Sequence, residues 1–241
     1  MCKAGYNDDM ISYAIELVNE LQRKGACGLG RFTGKLSERL DNEDEYRDIL
    51  REGRFAKILA RNGFKQIEIE YLNKGPDVKA HYNSRTVYFE ITRKRENEED
   101  EAIHQSKDGV GWISRQKPVN IIRIIKNKCK KLRENELNIL VIWSDTISIG
   151  RNTIAQVVQS LRQRIDRSPE TYRGMSGILF TLGMSYTNGI PKQFLLFSND
   201  KADVRLTNGL PNKLQSMTEE DPRKLQRGHE NLAAAMRKHS H

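Results

Sequence analysis

Gly75-Pro76-Asp77-Val78-Lys79-Ala80-His81-Tyr82-Asn83-Ser84-Arg85-Thr86-Val87-Tyr88-Phe89-Glu90-Ile91-Thr92 reads as two strands folded back on a short turn. Side chains alternate faces along a strand. Val87, Phe89 and Ile91 therefore share one face, and Tyr88, Glu90 and Thr92 share the other. A two-residue loop at Asn83-Ser84 suits asparagine, which tolerates positive φ. That register sets Asp77 directly across from Glu90 on one face, and a slip of one residue would separate them. Two carboxylates so close repel unless a positive group lies between them. A divalent cation such as magnesium, bound by a few carboxylates and several waters, meets that need. The bland alternative is a hairpin with two solvated acids.

The segments on either side add charge in unusual places. Residues 42–62 read as a helix ended by Gly63 as C-cap. Glu52 falls within its apolar stripe of Ile49, Phe55, Ala56 and Leu59, while Tyr46, Leu50 and Ile58 make a second apolar side. A carboxylate in such a stripe costs several kcal/mol unless it is paired or metal-linked. Residues 119–134 read as a helix begun after Pro118. Lys128 sits at the centre of its face of Ile121, Ile124, Ile125 and Leu132. A lysine there either finds a counter-charge or snorkels to water.

This order of helix glutamate, hairpin aspartate and glutamate, and helix lysine resembles the PD-(D/E)XK nuclease superfamily. The resemblance spans roughly Asp44 to Trp143 and rests on Glu52, Pro76-Asp77, Glu90-Ile91-Thr92 and the helix running into Asn138-Ile139-Leu140-Val141-Ile142-Trp143. It implies an α/β fold with a restriction-endonuclease-like core, a central mixed sheet flanked by helices, and extra N- and C-terminal helices. The family carries a lysine two positions after the strand glutamate, where this chain has Thr92. In variants of the fold the following helix supplies it. Lys128 is the first candidate, ahead of Lys94 and Lys126. The resemblance further implies that Asp77, Glu90 and the carbonyl of Ile91 hold Mg2+, with Mn2+ able to substitute. Glu52 would bind a metal water or a second metal, Thr92 a metal water, and Lys128 would orient the attacking water or stabilise the phosphorane. The implied reaction is hydrolysis of DNA by a restriction or repair type enzyme. The rival is a degenerate nuclease-fold subunit that binds DNA or joins an assembly without cutting.

Charge fits a polyanionic partner. The 241 residues carry a formal +9. From Trp112 to Arg133 there are eight Lys or Arg and no Asp or Glu. Arg115, Lys117, Arg123, Lys126 and Lys130 are the expected phosphate contacts of double-stranded DNA. Aromatic content is 7%, low for a surface that reads single strands by stacking. Cutting a duplex with one site per chain favours a homodimer. Cys2, Cys27 and Cys129 are scattered, without zinc-ligand spacing, and fit a reducing cytoplasm. No run is apolar enough to span a bilayer, and the first residues lack a signal-peptide stretch. The reading expects a cytoplasmic protein without a membrane partner.

Three parts follow. Residues 1–41 are expected to form a helix capped by Asp8 or Asp9, with Ile11, Ala14, Ile15, Val18 and Leu21 on one side, and then a flexible link at Gly25–Gly30. Residues 42–200 make the core. They include an acidic run between Arg93 and Gly111, a helix over 150–165, and strands over 177–182 and 193–198 that extend the sheet. Residues 201–241 are a polar tail with a helix begun at Asp221-Pro222.

Overall fold

The computed structural model describes residues 4–69, 75–93, 118–143, 149–182 and 193–218. Three helices come first: α1 (Ala4–Arg23), α2 (Leu29–Glu38) and α3 (Glu43–Arg61). Three strands follow: β1 (Lys65–Ile69), β2 (Val78–Tyr82) and β3 (Arg85–Arg93). Then come α4 (Pro118–Cys129), β4 (Asn138–Trp143), α5 (Arg151–Arg167), β5 (Gly177–Leu182), β6 (Gln193–Ser198) and α6 (Leu210–Gln215). One sheet runs in the order β1-β2-β3-β4-β5-β6. Its two edges are antiparallel, and β3, β4 and β5 are parallel. The parallel strands need crossovers, and a shared handedness puts both connecting helices on one face.

Strand alternation sorts the core into two layers. Val78, Ala80, Val87, Phe89, Ile91, Ile139, Val141 and Trp143 pack with α1, α2, α3 and α6. Leu140, Ile142, Ile178 and Phe180 pack with α4 and α5. The helix α3 is buried on both sides, against the sheet through Phe55 and Leu59 and against α1 and α2 through Gly53. Asn42 caps its first turn by accepting from the Glu45 N–H, and Gly63 takes φ +85° just beyond its end. No helix among the described residues is long and apolar enough to cross a membrane.

The expected strands over 138–143, 177–182 and 193–198 are present, and the last two extend the sheet. Four expectations need correction. The helix α1 already runs from Ala4, and Ile15, expected inward, is 57% exposed, because Ala14, Leu17 and Leu21 make the buried stripe. The segment Gly25–Gly30 is not a flexible link. The Cys27 N–H donates to the Ile67 carbonyl (2.8 Å) and its carbonyl accepts from the Ile69 N–H (3.1 Å). Gly28 takes φ +79°, and a Cβ there would lie 1.9 Å from the Ile69 carbonyl oxygen. The chain then enters α2, which buries Phe32 and Leu36. The helix after Pro118 stops at Cys129 rather than Glu134. Residues 201–218 are not a polar tail: Leu210, Leu214 and Met217 are buried in the α1–α3 layer. Asn62 exchanges hydrogen bonds with the Thr218 backbone. The acidic run over 96–101 and the helix expected from Asp221 lie outside the described residues.

Candidate active site

The hairpin sets the site. Asn83 (φ 47°) and Ser84 (φ 65°) are both left-handed, the signature of a type I′ turn. Pairing runs from Tyr82↔Arg85 to Val78↔Phe89. One step further, Asp77 stands across from Glu90. The Asp77 Oδ2 accepts the Ile91 N–H at 2.6 Å. The carboxylate thereby carries the ladder on where Pro76, which has no N–H, precedes it.

Glu90 alternates away from Phe89 and Ile91, so it leaves the α1–α3 side and enters the layer beneath α4. Its side chain is 5% exposed. A buried carboxylate needs a counter-charge, and Lys128 supplies it. The Lys128 Nζ lies 2.5 Å from the Glu90 Oε1, with 25% of the lysine side chain exposed. Lys128 was expected at the centre of the apolar face. The buried stripe of α4 is instead Ile121, Ile122, Ile125 and Cys129, with Ile124 and Leu132 only partly buried. The lysine stands on the flank of that stripe nearest β3, and this is why it both reaches Glu90 and touches water.

The other expected members are spread more widely. Thr92 lies two residues beyond Glu90 on the same strand face, half-buried, in register with Ile142. Glu52 comes from the opposite layer. It sits one turn before Phe55, whose ring meets Phe89 at 5.2 Å and Trp143 at 6.4 Å. Its Oε2 is buried. Among the described residues no three Asp, Glu, His or Cys side chains are grouped closely enough to cage a metal. The helix that carries Glu52 packs in the α1–α3 layer, and Glu90 points to the opposite face of the sheet. Arg123, Lys126 and Lys130 are exposed on and just beyond α4. Lys94, Arg115 and Lys117 lie outside the described residues.

Two cationic contacts near the site were not foreseen. The Arg54 guanidinium stacks over Trp143 (5.6 Å to the ring centroid), and Arg133 over Tyr88 (5.2 Å). The second pair neighbours Glu90 in sequence and bounds its face of the sheet. Arginine prefers aromatic faces in this way, but nothing in a linear sequence pairs residues 45 apart.

No family model matches the chain, and neither a curated protein nor a solved structure matches it. One carboxylate stands on β3 and the other just before β2, with one ammonium group bound to the more buried of them.

Proposed function

We propose that this protein is a metal-dependent endonuclease that hydrolyses phosphodiester bonds in double-stranded DNA, a restriction or repair type enzyme with a restriction-endonuclease-like core. One observation carries the reading. The only short ion pair Glu90 makes among the described residues is with Lys128, the lysine that would replace the one missing at Thr92, and Asp77, just before the neighbouring strand, accepts from the Ile91 N–H next to Glu90. The order helix, three antiparallel strands, helix, parallel strand supports the same fold reading.

The donor set suits magnesium, which takes one or two carboxylates and fills its remaining positions with water. Asp77 and Glu90 are the protein ligands, joined by the Ile91 carbonyl, and Mn2+ has the same preference for hard oxygen donors. When bound, the ion activates water and neutralises charge on the phosphate. Lys128 donates to the oxygens on which charge grows as phosphorus becomes five-coordinate. Thr92 orients a water beside Glu90. Glu52 acts from the far layer through water rather than as a direct third ligand. Cutting both strands calls for two copies of the chain.

A second reading is a DNA-binding or assembly subunit that keeps the fold without the chemistry. Thr92 at the motif-lysine position favours it. Supercoiled plasmid incubated with Mg2+ separates the two. Nicking by the wild type that is lost in Asp77→Ala supports the enzyme. Tight plasmid binding with no nicking, unchanged in Asp77→Ala, supports the subunit.

A further inference from the structure

The two helical layers carry charge differently. On the α1–α3 side, cations sit against acids: Arg39 on Glu45 (2.8 Å), Arg47 on Glu43 (2.7 Å), and Lys57 and Arg61 on Glu20 (2.9 and 2.7 Å). On the other side, α4 contains Arg123, Lys126 and Lys128 with no acid, and α5 contains four arginines against Asp166 alone. Among the described residues, Lys126, Lys130, Arg164 and Arg167 have no acidic side chain within ion-pair reach, and all four are exposed.

These four cations face one seam. Lys128 turns toward β3 on one flank of α4, and Cys129 turns the other way, its Sγ 3.7 Å from the Met175 Sδ just before β5. Lys126 and Lys130 lie on the Cys129 side of the outer surface, toward α5. Arg164 and Arg167 are one turn apart in the last turn of α5. Cys129 at the end of α4 is buried in one cluster with Leu161 and Ile165 of α5 and with Tyr172 just after it, so that end of α5 borders the end of α4. Two cation pairs, each about 5–6 Å apart along a helix, thus line two helices about 8–10 Å apart.

We propose that the seam between α4 and α5 is a track for the phosphate backbone of duplex DNA, held by Lys126 and Lys130 on one side and Arg164 and Arg167 on the other. This rests on the nucleic-acid half of the proposed function and adds α5 to it. The same helix that carries the track places Lys128 on Glu90, so a strand held in the seam lies beside the candidate site. Two chemistries are disfavoured. A membrane surface would need an apolar face turned outward, and α4 and α5 bury theirs against the sheet. Single-strand capture would need stacking rings, and neither helix contains an aromatic residue.

The test is equilibrium binding of the full chain to a fluorescent DNA duplex in EDTA, so that cleavage plays no part. Wild type is compared with Arg164→Gln/Arg167→Gln and with a control, Lys24→Gln/Lys201→Gln, which removes two exposed cations elsewhere. Each phosphate contact contributes about −0.9 to the slope of log K against log salt. The seam variant is expected to flatten that slope by about 1.8, so over a fourfold rise in salt the wild type loses roughly tenfold more affinity than the variant. The control keeps the wild-type slope. A seam variant that parallels the control overturns the track and leaves the nuclease reading standing if Mg2+-dependent nicking persists. Failure of the wild type to bind duplex overturns both. Tighter binding to phosphatidylcholine–phosphatidylserine vesicles than to duplex also overturns the track, as does a melting-temperature loss in the seam variant with DNA binding unchanged.

Discussion

The Glu90–Lys128 pair offers the sharpest energetic test. Lys128→Met keeps the length and apolar stem of the side chain and removes the ammonium group. It leaves a carboxylate that is 5% exposed without the cation 2.5 Å away. Exposed ion pairs contribute up to about 1 kcal/mol. Breaking a fully buried pair by removing one partner costs about 3–5 kcal/mol. This pair lies between the two, since Glu90 is buried and a quarter of the lysine meets solvent. Lys128→Met is therefore expected to cost about 2–3 kcal/mol. Much of that cost is the stranded charge, so Glu90→Gln/Lys128→Met should be more stable than the sum of the single variants predicts. The coupling should be about 1–2 kcal/mol. Urea unfolding followed by far-UV circular dichroism reads it as a shift in midpoint at constant slope. A Lys128→Met variant within about 0.5 kcal/mol of wild type, with additive single substitutions, would mean that the ammonium group does not hold Glu90. The account of the site would then fail at its base.

Other consequences are open to simpler experiments. Gly28→Ala forces a side chain onto the Ile69 carbonyl at positive φ, and Gly53→Ala places a methyl 2.5 Å from the buried Phe32 Cζ. Each should cost about 1–3 kcal/mol and lower the melting temperature by several degrees, whereas Gly30→Ala, which meets open space, should shift it little. Burial raises the pKa of Glu20, but hydrogen bonds from Lys57 and Arg61 outweigh this and hold it below the usual glutamate value. Its contribution is thus full above that usual value and is lost as pH falls through the lowered one. Urea midpoints of the wild type should drop more steeply on acidification than those of Glu20→Gln, and parallel curves would rule this out. Burial pushes the Cys129 thiol up to about 12. Iodoacetamide should therefore label exposed Cys27 far ahead of Cys129 in the native protein, as read by peptide mass mapping, and equal rates would mean that α4 does not pack as described.

How much of this was legible in the sequence depended on whether the deciding contact was local. The hairpin register follows from loop length and the asparagine at its tip, so Asp77 could be set against Glu90 without coordinates. The strands at 138–143 and 177–182 are continuous apolar runs, which a parallel centre buried on both faces requires. The segment around Gly28 misled because glycine is equally at home in a loose linker and in a tight approach to another backbone. Only the distant Ile69 carbonyl distinguishes the two. Leu210, Leu214 and Met217 looked like a polar tail because two apolar residues in a short helix and one just after it carry too little periodic signal. The buried face of α4 lies about a quarter-turn from the one its sequence suggests, since Ile121, Ile122, Ile124 and Ile125 surround much of that helix and only the sheet selects which are buried. The pairing of Lys128 with Glu90 survives that offset because a flank lysine has the reach to cover it. The layer from which Glu52 comes was not legible, because the side on which α3 packs is a property of the whole sheet.

The most direct measurement is the position of a bound cation. A crystal soaked in Mn2+ should show an anomalous peak within coordination distance of oxygens of Asp77 and Glu90, with the Lys128 ammonium nearer to it than any other lysine. Anomalous density elsewhere on the protein, with Asp77 and Glu90 untouched at saturating Mn2+, would contradict the account.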